Sequence, residues 1–532
     1  MKMNVAQYLA KVLSEKGVRY VFGIPGGPSL PYMEAMRQEG IRFILTSHES
    51  SAGIMADVTA RLTGIPGVCH ATFGPGATNL STGVGGALLD RSPVIALTTE
   101  VPDRMLGRTT QMGIDHQGLY KPVTKATYRL TEKNIASVLE ESFTIAASEL
   151  PGPVHIGLPS DISSREVQTV NPVARKAMFQ ESGNDHQRVM SLLRAAKRPV
   201  MAVGLTAARL GAGTALAAFL KERPMPVVLT PMAKGVLPQS HQCYAGVLFH
   251  ALSDRLRSVA QKADLVIGLG YDPVEYNYES WIPAVPVVHF GTGPVDMPEG
   301  IEYGSVTGSV EEWFSILNSS VRSDDYLTGS GTEEARKEIG DVFSRLALNW
   351  GPVSALKTLR EALPGESILT CDVGSHLHMA GQYWPVESAS DFIITNGWST
   401  MGFGIPSALA ASLNCPDKPV IALVGDGGFL MSAGEIMTAR RYNINIKVVV
   451  LADRELNLIK LKQSWKGTDP YATTLLEGDM FGSGVFLGVP VLNASDSGSM
   501  QKAVRKALSM AGPVIINATV PGDDYKELVV RQ

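Results

Sequence analysis

The chain is expected to fold as α/β throughout, in three doubly wound domains built on parallel sheets, and three observations carry that expectation. Short apolar runs alternate with helical patterns along most of its 532 residues. The runs end in turns made of Gly, Pro, Ser and Asp, as strand-to-helix connections do. Two polar stretches without pattern, about 163–184 and 319–334, cut the chain into three blocks. One core does not grow to this length, and about 150–180 residues per domain is the natural division. The expected domains are 1–165, 186–318 and 345–532.

The first block opens on an amphipathic helix, MKMNVAQYLAKVLSEKG, which lacks the continuous apolar centre of a signal peptide. Apolar runs follow at 18–24, 42–45, 67–72 and 94–98. The first three lead into Pro25-Gly26-Gly27, Ser47-His48-Glu49 and Gly74-Pro75-Gly76, and the block closes on GPVHIGLPSDI at 152–162. The second block carries runs at 199–203, 227–229, 265–269 and 287–289. In the third, the run 420–424 ends in Gly425-Asp426-Gly427-Gly428, a helical pattern continues to about Arg441, and the run 446–451 ends in Ala452-Asp453-Arg454-Glu455.

Composition excludes several classes. A net charge of −4 gives no polyanion-binding signal, so nucleic acid is not an expected partner. No stretch is long and apolar enough to span a membrane. The 4 cysteines are scattered without ligand spacing, as buried thiols of a reducing compartment are. A cytoplasmic protein is expected.

The third block carries the most chemistry. Two strands joined by a crossover helix bring Asp426 and Asp453 side by side at the carboxyl edge of one sheet, where open α/β sheets place their ligands. Glycines around Asp426 let backbone N–H groups approach an anion. Two hard oxygen donors from two strand ends suit a Mg²⁺ that bridges phosphates. The segment therefore describes a cation-bridged diphosphate site, although Gly-Asp-Gly alone is also a common turn. In the first block Glu49 opens a helix with the small residues Ser51, Ala52, Gly53 and Ala56. By residue type alone it is as readily a cap that compensates the helix dipole.

Ordered motifs shift that balance. HESSAGIMADVTARLTGIPGVCHATFGPGATNL (48–80), FGIPGG (22–27), LLDRSPVIALTTEVP (88–102), PVTKATYRL (122–130), GPVHIGLPSDI (152–162), DVGSH (372–376), NGWSTMGFGIPSAL (396–409) and the GDG segment resemble, in sequence order, thiamine diphosphate (ThDP)-dependent enzymes of the acetolactate synthase family. The resemblance implies a pyrimidine-binding first domain, a central domain and a diphosphate-binding third domain. It implies 2-oxoacid decarboxylation followed by carboligation. Glu49 would hydrogen-bond N1′ of the cofactor's aminopyrimidine and favour the tautomer that removes the C2 proton. Gln111, in RTTQMGIDHQ, would reach the substrate side. Pro25, Gly26, Thr72, Gly76 and Asn79 would contact the cofactor from the first domain. Val373, Gly374, Ser375 and His376 would line the diphosphate with Gly425, Asp426, Gly427, Gly428 and Asp453. Met401 would prop the cofactor in a bent form, and the Ser399 carbonyl would take its amino hydrogen. Mg²⁺ would be held by Asp426, Asp453 and the backbone carbonyl of Glu455, whose side chain is expected to be a solvated loop charge.

The departures are specific. Ala452-Asp453 replaces the family's Asn-Asn, and Ser375 its usual Gln. YDPVEY (271–276) stands where flavin-binding relatives carry an Arg-containing segment, so FAD is not expected. The stretch from Asn457 is rich in Lys and Gly, and substrate choice is not inherited through it. His116 and Gln117 are candidates for a substrate pocket against a surface-loop alternative, and His48 is expected to be structural. Small 2-oxoacids or aldehydes are the expected substrates, and a homodimer or homotetramer the expected assembly. A plain 2-oxoacid decarboxylase or a C–C lyase on the same scaffold is the alternative activity; the sequence has no His-His pair of the kind decarboxylases use as proton donors. A nucleotide-binding α/β protein is a further alternative, but no GxGxxG fingerprint occurs at a first βα turn. A non-catalytic relative is the last.

Overall fold

A computed structural model describes residues 3–168, 185–475 and 478–529. It contains three sheets. The first joins β1 (Tyr20–Ile24), β2 (Arg42–Leu45), β3 (Gly67–Ala71), β4 (Val94–Glu100), β5 (Ala126–Arg129) and β6 (Val154–Pro159) in the order β2-β1-β3-β4-β6-β5, every pair parallel. The second joins β7 (Pro199–Val203), β8 (Val227–Leu229), β9 (Tyr244–Val247), β10 (Leu265–Leu269), β11 (Val287–Gly291) and β12 (Tyr303–Thr307) in the order β12-β11-β10-β7-β8-β9, again all parallel. The third runs β14-β13-β15-β16-β19-β18-β17, from β13 (Ile368–Cys371), β14 (Phe392–Ile393), β15 (Val420–Gly425), β16 (Ile446–Ala452), β17 (Val485–Phe486), β18 (Val489–Ala494) and β19 (Val514–Thr519). In it β13 and β14, β16 and β19, and β18 and β19 pair parallel, and the short β17 pairs antiparallel with β18.

The central strands are buried along their whole length, as strands covered on both faces must be, and this explains their continuous apolar runs. The strand order of the second sheet reverses once, and those of the first and third reverse near their first strands and again at their far edge. The carboxyl ends that meet at the first reversal of each sheet belong to β1 and β3, to β7 and β10, and to β13 and β15. Such switch points are where doubly wound sheets hold ligands.

The described residues gather into two compact units. One comprises Met1–Phe179, Gly397–Val420 and Leu430–Ile446 and contains the first sheet; the other contains the second and third sheets. Within the first unit the helix Gly404–Asn414 packs along the helix Glu49–Thr63. There Asn414 Nδ2 donates to Thr59 Oγ1 at 3.0 Å.

Several expectations shift. The helical pattern after Gly428 is two helices, Asp426–Ser432 and Glu435–Arg441, broken at Ala433-Gly434. The polar stretch 319–334 shrinks to 321–331, because the helices Val310–Ser320 and Thr332–Leu346 reach into it. Of the stretch 163–184, residues 169–184 lie outside the described residues. β5, with the sequence ATYR, is half-buried and mixed in polarity, so no apolar run announces it.

Candidate active site

In the first unit, residues after β1, β2 and β3 converge. Glu49 begins the helix Glu49–Thr63, is buried, and accepts a hydrogen bond at Oε2 from Asn79 Nδ2 (3.0 Å). A Cβ on Gly76 would stand 3.3 Å from Glu49 Oε1, so glycine leaves that oxygen accessible. Gly26 lies against Thr72, whose Oγ1 a Cβ there would meet at 2.2 Å; Thr99 Oγ1 donates to the same hydroxyl at 3.4 Å. His48 caps the helix, accepting from Ser50 N through Nδ1 (3.1 Å).

The turn that presents Glu49 is held by a residue the sequence reading did not single out. The Glu435 carboxylate accepts from Ser47 N (3.0 Å), His48 N (3.1 Å) and Thr438 Oγ1 (2.7 Å). Burial raises its pKa, and the hydrogen bonds from Thr438, Ser47, Ser51 and His48 oppose that rise. An acidic residue in the first turn of a helix, shortly after the Gly-rich turn 425–428, was the available signal, but nothing local says which backbone it serves.

The segment from Gly397 is fixed in the same unit. Gly397 N donates to Asp90 Oδ1 (2.9 Å), and Asp90 with Asp57 forms a buried ion triad on Arg61. Trp398 lies so close to Gly85 that a Cβ there would be 2.9 Å from the ring. Ser399 adopts a left-handed backbone (φ 51°) and is exposed, and Met401 is half-buried.

In the second unit, the loops after β13 and β15 meet at the switch point of the third sheet. Asp372 folds onto its own loop, accepting from Val373 N at 2.7 Å. Gly428 admits this carboxylate, since a Cβ there would be 2.7 Å from Asp372 Oδ2. Gly374 (φ 157°) and Gly425 flank the His376 ring. Ser375 Oγ and His376 Nε2 are buried without a hydrogen-bond partner. Burial pushes the His376 imidazole down to about 4, with His378 adding to the effect.

Asp426 accepts from Gly427 N (2.9 Å) and, across to the end of β16, from Arg454 N (2.5 Å), where Arg454 takes a left-handed backbone. Burial and then the Asp426 charge push Asp453 up to about 7. Burial also raises Asp426, against three backbone hydrogen bonds. A buried carboxylate, Asp426, and a half-buried one, Asp453, whose charges oppose each other are what a divalent cation relieves. Asn457 hydrogen-bonds Asp453, and Gly522 gives them room, since its Cβ would be 2.2 Å from Asn457 Nδ2. Glu455 corrects an expectation: its side chain is not a solvated charge but an ion pair with Lys460 on the next helix. The chain after that helix folds back, and Phe481 and Phe486 meet Phe429 edge-on at 5.1 and 5.2 Å.

Domain families cover this geometry in sequence order. Residues 3–119 match the thiamine pyrophosphate enzyme N-terminal TPP binding domain, 186–307 the central domain, and 372–518 the C-terminal TPP binding domain. The chain is 31% identical over 468 residues to the acetolactate synthase large subunit of Lactococcus lactis, spanning 86% of this chain and 81% of that one. It is 28% identical over 541 residues to the acetolactate synthase isozyme 1 large subunit of Escherichia coli, spanning 98% and 94%. It is also 28% identical over 547 residues to an acetolactate synthase of Bacillus subtilis, spanning 99% and 94%. The chain belongs to the ThDP-dependent enzymes of the acetolactate synthase family.

For a ThDP enzyme the loops around His376 fit the cofactor's diphosphate. Two orphaned buried polar groups, two close glycines and a pair of opposed carboxylates at one switch point suit an anionic group bridged by a cation. Gln111 is exposed, in the irregular segment after β4.

His116 is buried and Gln117 half-buried, so the surface-loop alternative does not hold for His116. Thr98 Oγ1 lies 2.8 Å from both His116 Nδ1 and His155 Nε2, and Thr127 Oγ1 lies 2.7 Å from His155 Nδ1. Gln117 Nε2 donates to Glu100 Oε1 (2.6 Å), whose other oxygen pairs with Arg129. Among the described residues, Glu100, His116 and His155 are the one group with three ligand atoms within 4.8 Å of one another. Threonine hydroxyls already hold the two imidazoles, burial keeps His116 and His155 neutral, and Arg129 supplies the positive charge, so the cluster is a satisfied network. It also brings two histidines together in space, with ring centroids 6.3 Å apart, although no His-His pair occurs in the sequence. Among the described residues, no helix is long and apolar enough to cross a membrane.

Proposed function

We propose that the chain decarboxylates a 2-oxoacid and joins the resulting acyl carbanion to a second carbonyl compound, using ThDP and Mg²⁺. The observation that supports this most is the third sheet's switch point, where buried Ser375 Oγ and His376 Nε2 lack partners beside the opposed Asp426 and Asp453. Bound there, ThDP would supply the electron sink for decarboxylation. Asp426, Asp453 and the Glu455 carbonyl would hold the Mg²⁺, and Val373, Gly374, Ser375, His376 and residues 425–428 the diphosphate. Asn457 keeps Asp453 oriented. Pro25, Gly26, Thr72 and Gly76 would line the pyrimidine side with Ser399 and Met401. Glu49 exchanges a proton at Oε1, the oxygen that Asn79 leaves unengaged, while Glu435 fixes the turn on which it stands. Gln111 would meet the substrate. The domains would be 1–165, 186–318 and 345–532, the active unit at least a homodimer, and the location cytoplasmic.

The test is to incubate the protein with ThDP, Mg²⁺ and a panel of 2-oxoacids, alone and with aldehydes, and to identify products by mass. Acyloin or acetohydroxyacid products support carboligation. Free aldehyde as the sole product points to a decarboxylase, and cleavage of added acyloins to a lyase.

A further inference from the structure

The central sheet has the topology of a ligand-binding domain, and its switch point is shut. β7 and β10 are the strands where its order reverses, so the crevice should open between the turns after Val203 and Leu269. Those turns touch instead. A Cβ on Gly204 would lie 2.5 Å from Tyr271 Cα, and one on Gly270 would lie 2.2 Å from Ala207 N. Thr206 N donates across the gap to the Gly270 carbonyl at 2.9 Å.

The remaining donors are taken by one buried side chain. Glu275 Oε2 accepts from Leu205 N (3.0 Å) after β7 and from Thr230 Oγ1 (2.6 Å) after β8, and Oε1 accepts from Met232 N (2.9 Å). Aromatic packing holds the segment that delivers it. Tyr271 stacks on Tyr278 at 4.3 Å, Tyr278 Oη meets His289 Nδ1 at 2.9 Å, and Trp281 Nε1 donates to Tyr271 Oη at 3.0 Å. Asn396 Nδ2 donates to the Glu275 carbonyl (3.2 Å).

We propose that Glu275 permanently occupies the position where a doubly wound domain receives a ligand's phosphate, so that the central domain carries its own plug and takes up no nucleotide. Two backbone N–H groups and a hydroxyl, from two neighbouring strand ends, are the donor set a phosphate would use, and the chain spends them on its own carboxyl group. This rests on the central sheet alone and does not depend on which reaction the enzyme performs.

The test uses the full chain with saturating ThDP and Mg²⁺. In equilibrium dialysis the wild-type protein should retain neither ADP nor FAD at millimolar concentration. Stoichiometric binding of either, with added protection of the Leu205 and Met232 amides from hydrogen exchange, overturns the proposal. Glu275→Ala excises roughly an acetate. Acetate or formate at tens of millimolar should therefore raise its melting temperature by several degrees and leave the wild type unchanged. Equal shifts in both proteins, or none in the variant, overturn the proposal. If Glu275→Ala does not accumulate, Glu275→Gln decides. It keeps one acceptor oxygen, so exchange at Leu205 or Met232 should accelerate, and unchanged exchange at both sinks the idea.

Discussion

The third and central sheets present the same topological feature in opposite chemical states. At the β13/β15 reversal, two buried polar atoms lack partners and two carboxylates oppose each other. At the β7/β10 reversal every donor named above is met by Glu275 or by the facing turn. Leaving a buried polar atom unpaired costs about 1–3 kcal/mol. Such groups persist where a ligand completes them, and the central domain has removed the debt internally. Topology therefore locates where a ligand can bind, and the side chains at that place decide whether one does.

The largest break in this contrast is Asp426→Ala. With one of two opposed carboxylates gone, Mg²⁺-dependent ThDP affinity should fall by more than about a hundredfold, since even outer-shell losses reach that size. Calorimetry with and without EDTA measures it, and unchanged affinity in the variant would remove the third sheet from the cofactor site. Glu49→Gln should separate binding from chemistry. ThDP affinity should stay within a few-fold of wild type, while exchange of the cofactor's C2 proton, followed by NMR, slows by about 10²–10⁴. Fast exchange would place the activating carboxyl elsewhere. Since Glu49 and Asp426 stand on different domains, mixing the two inactive variants under subunit exchange should restore some activity if the site is shared across a two-fold axis. An active monomer by sedimentation defeats that arrangement.

How much of this was legible in the sequence follows from what is local. Runs such as 199–203, 265–269 and 446–451 are strands because parallel strands buried on both faces must be apolar throughout, and that leaves a mark in the sequence. The acidic tips Asp426 and Asp453 were legible because a crossover connection fixes where they meet. Glu435 and Glu275 were not. Each serves backbone N–H groups far away in sequence, Ser47 and His48 for one, Leu205 and Met232 for the other, and no spacing rule links them. The burial of His116 was hidden for a related reason: a loop-like sequence does not show that Thr98 and His155 lie against it. Glu455 was misjudged because its partner, Lys460, is reached only after a helix begins.

A smaller effect probes the plug by pH. Burial, with Asp272 nearby, pushes the Glu275 carboxyl up to about 8, against the hydrogen bonds from Thr230, Met232 and Leu205. Its folded pKa is above the ordinary 4.5, so the folded chain binds the extra proton between those values. The contribution is whole below about pH 4.5 and is lost as pH rises through about 8. Melting temperatures of the wild type and Glu275→Gln should therefore draw together as pH increases from 5 to 8.5. Parallel profiles would mean that the carboxyl does not titrate in that window.

The smallest expected change is the sharpest contrast with Glu275. Ser375 Oγ is buried without a hydrogen-bond partner in the chain, so Ser375→Ala removes a polar atom that makes no hydrogen bond within the protein. Stability without ThDP should be unchanged or slightly higher, whereas Glu275→Ala strands three donors and should lower it. With ThDP and Mg²⁺ present the order of effects reverses at Ser375. If its hydroxyl completes the diphosphate site, the variant should lose about 0.5–1.5 kcal/mol of binding, a few-fold to roughly tenfold in affinity. Thermal unfolding of the ligand-free protein and ThDP titration by calorimetry read the two halves separately. A destabilised ligand-free variant with wild-type affinity would show that the hydroxyl supports the fold, and the diphosphate contact would then rest on His376 and the backbone alone.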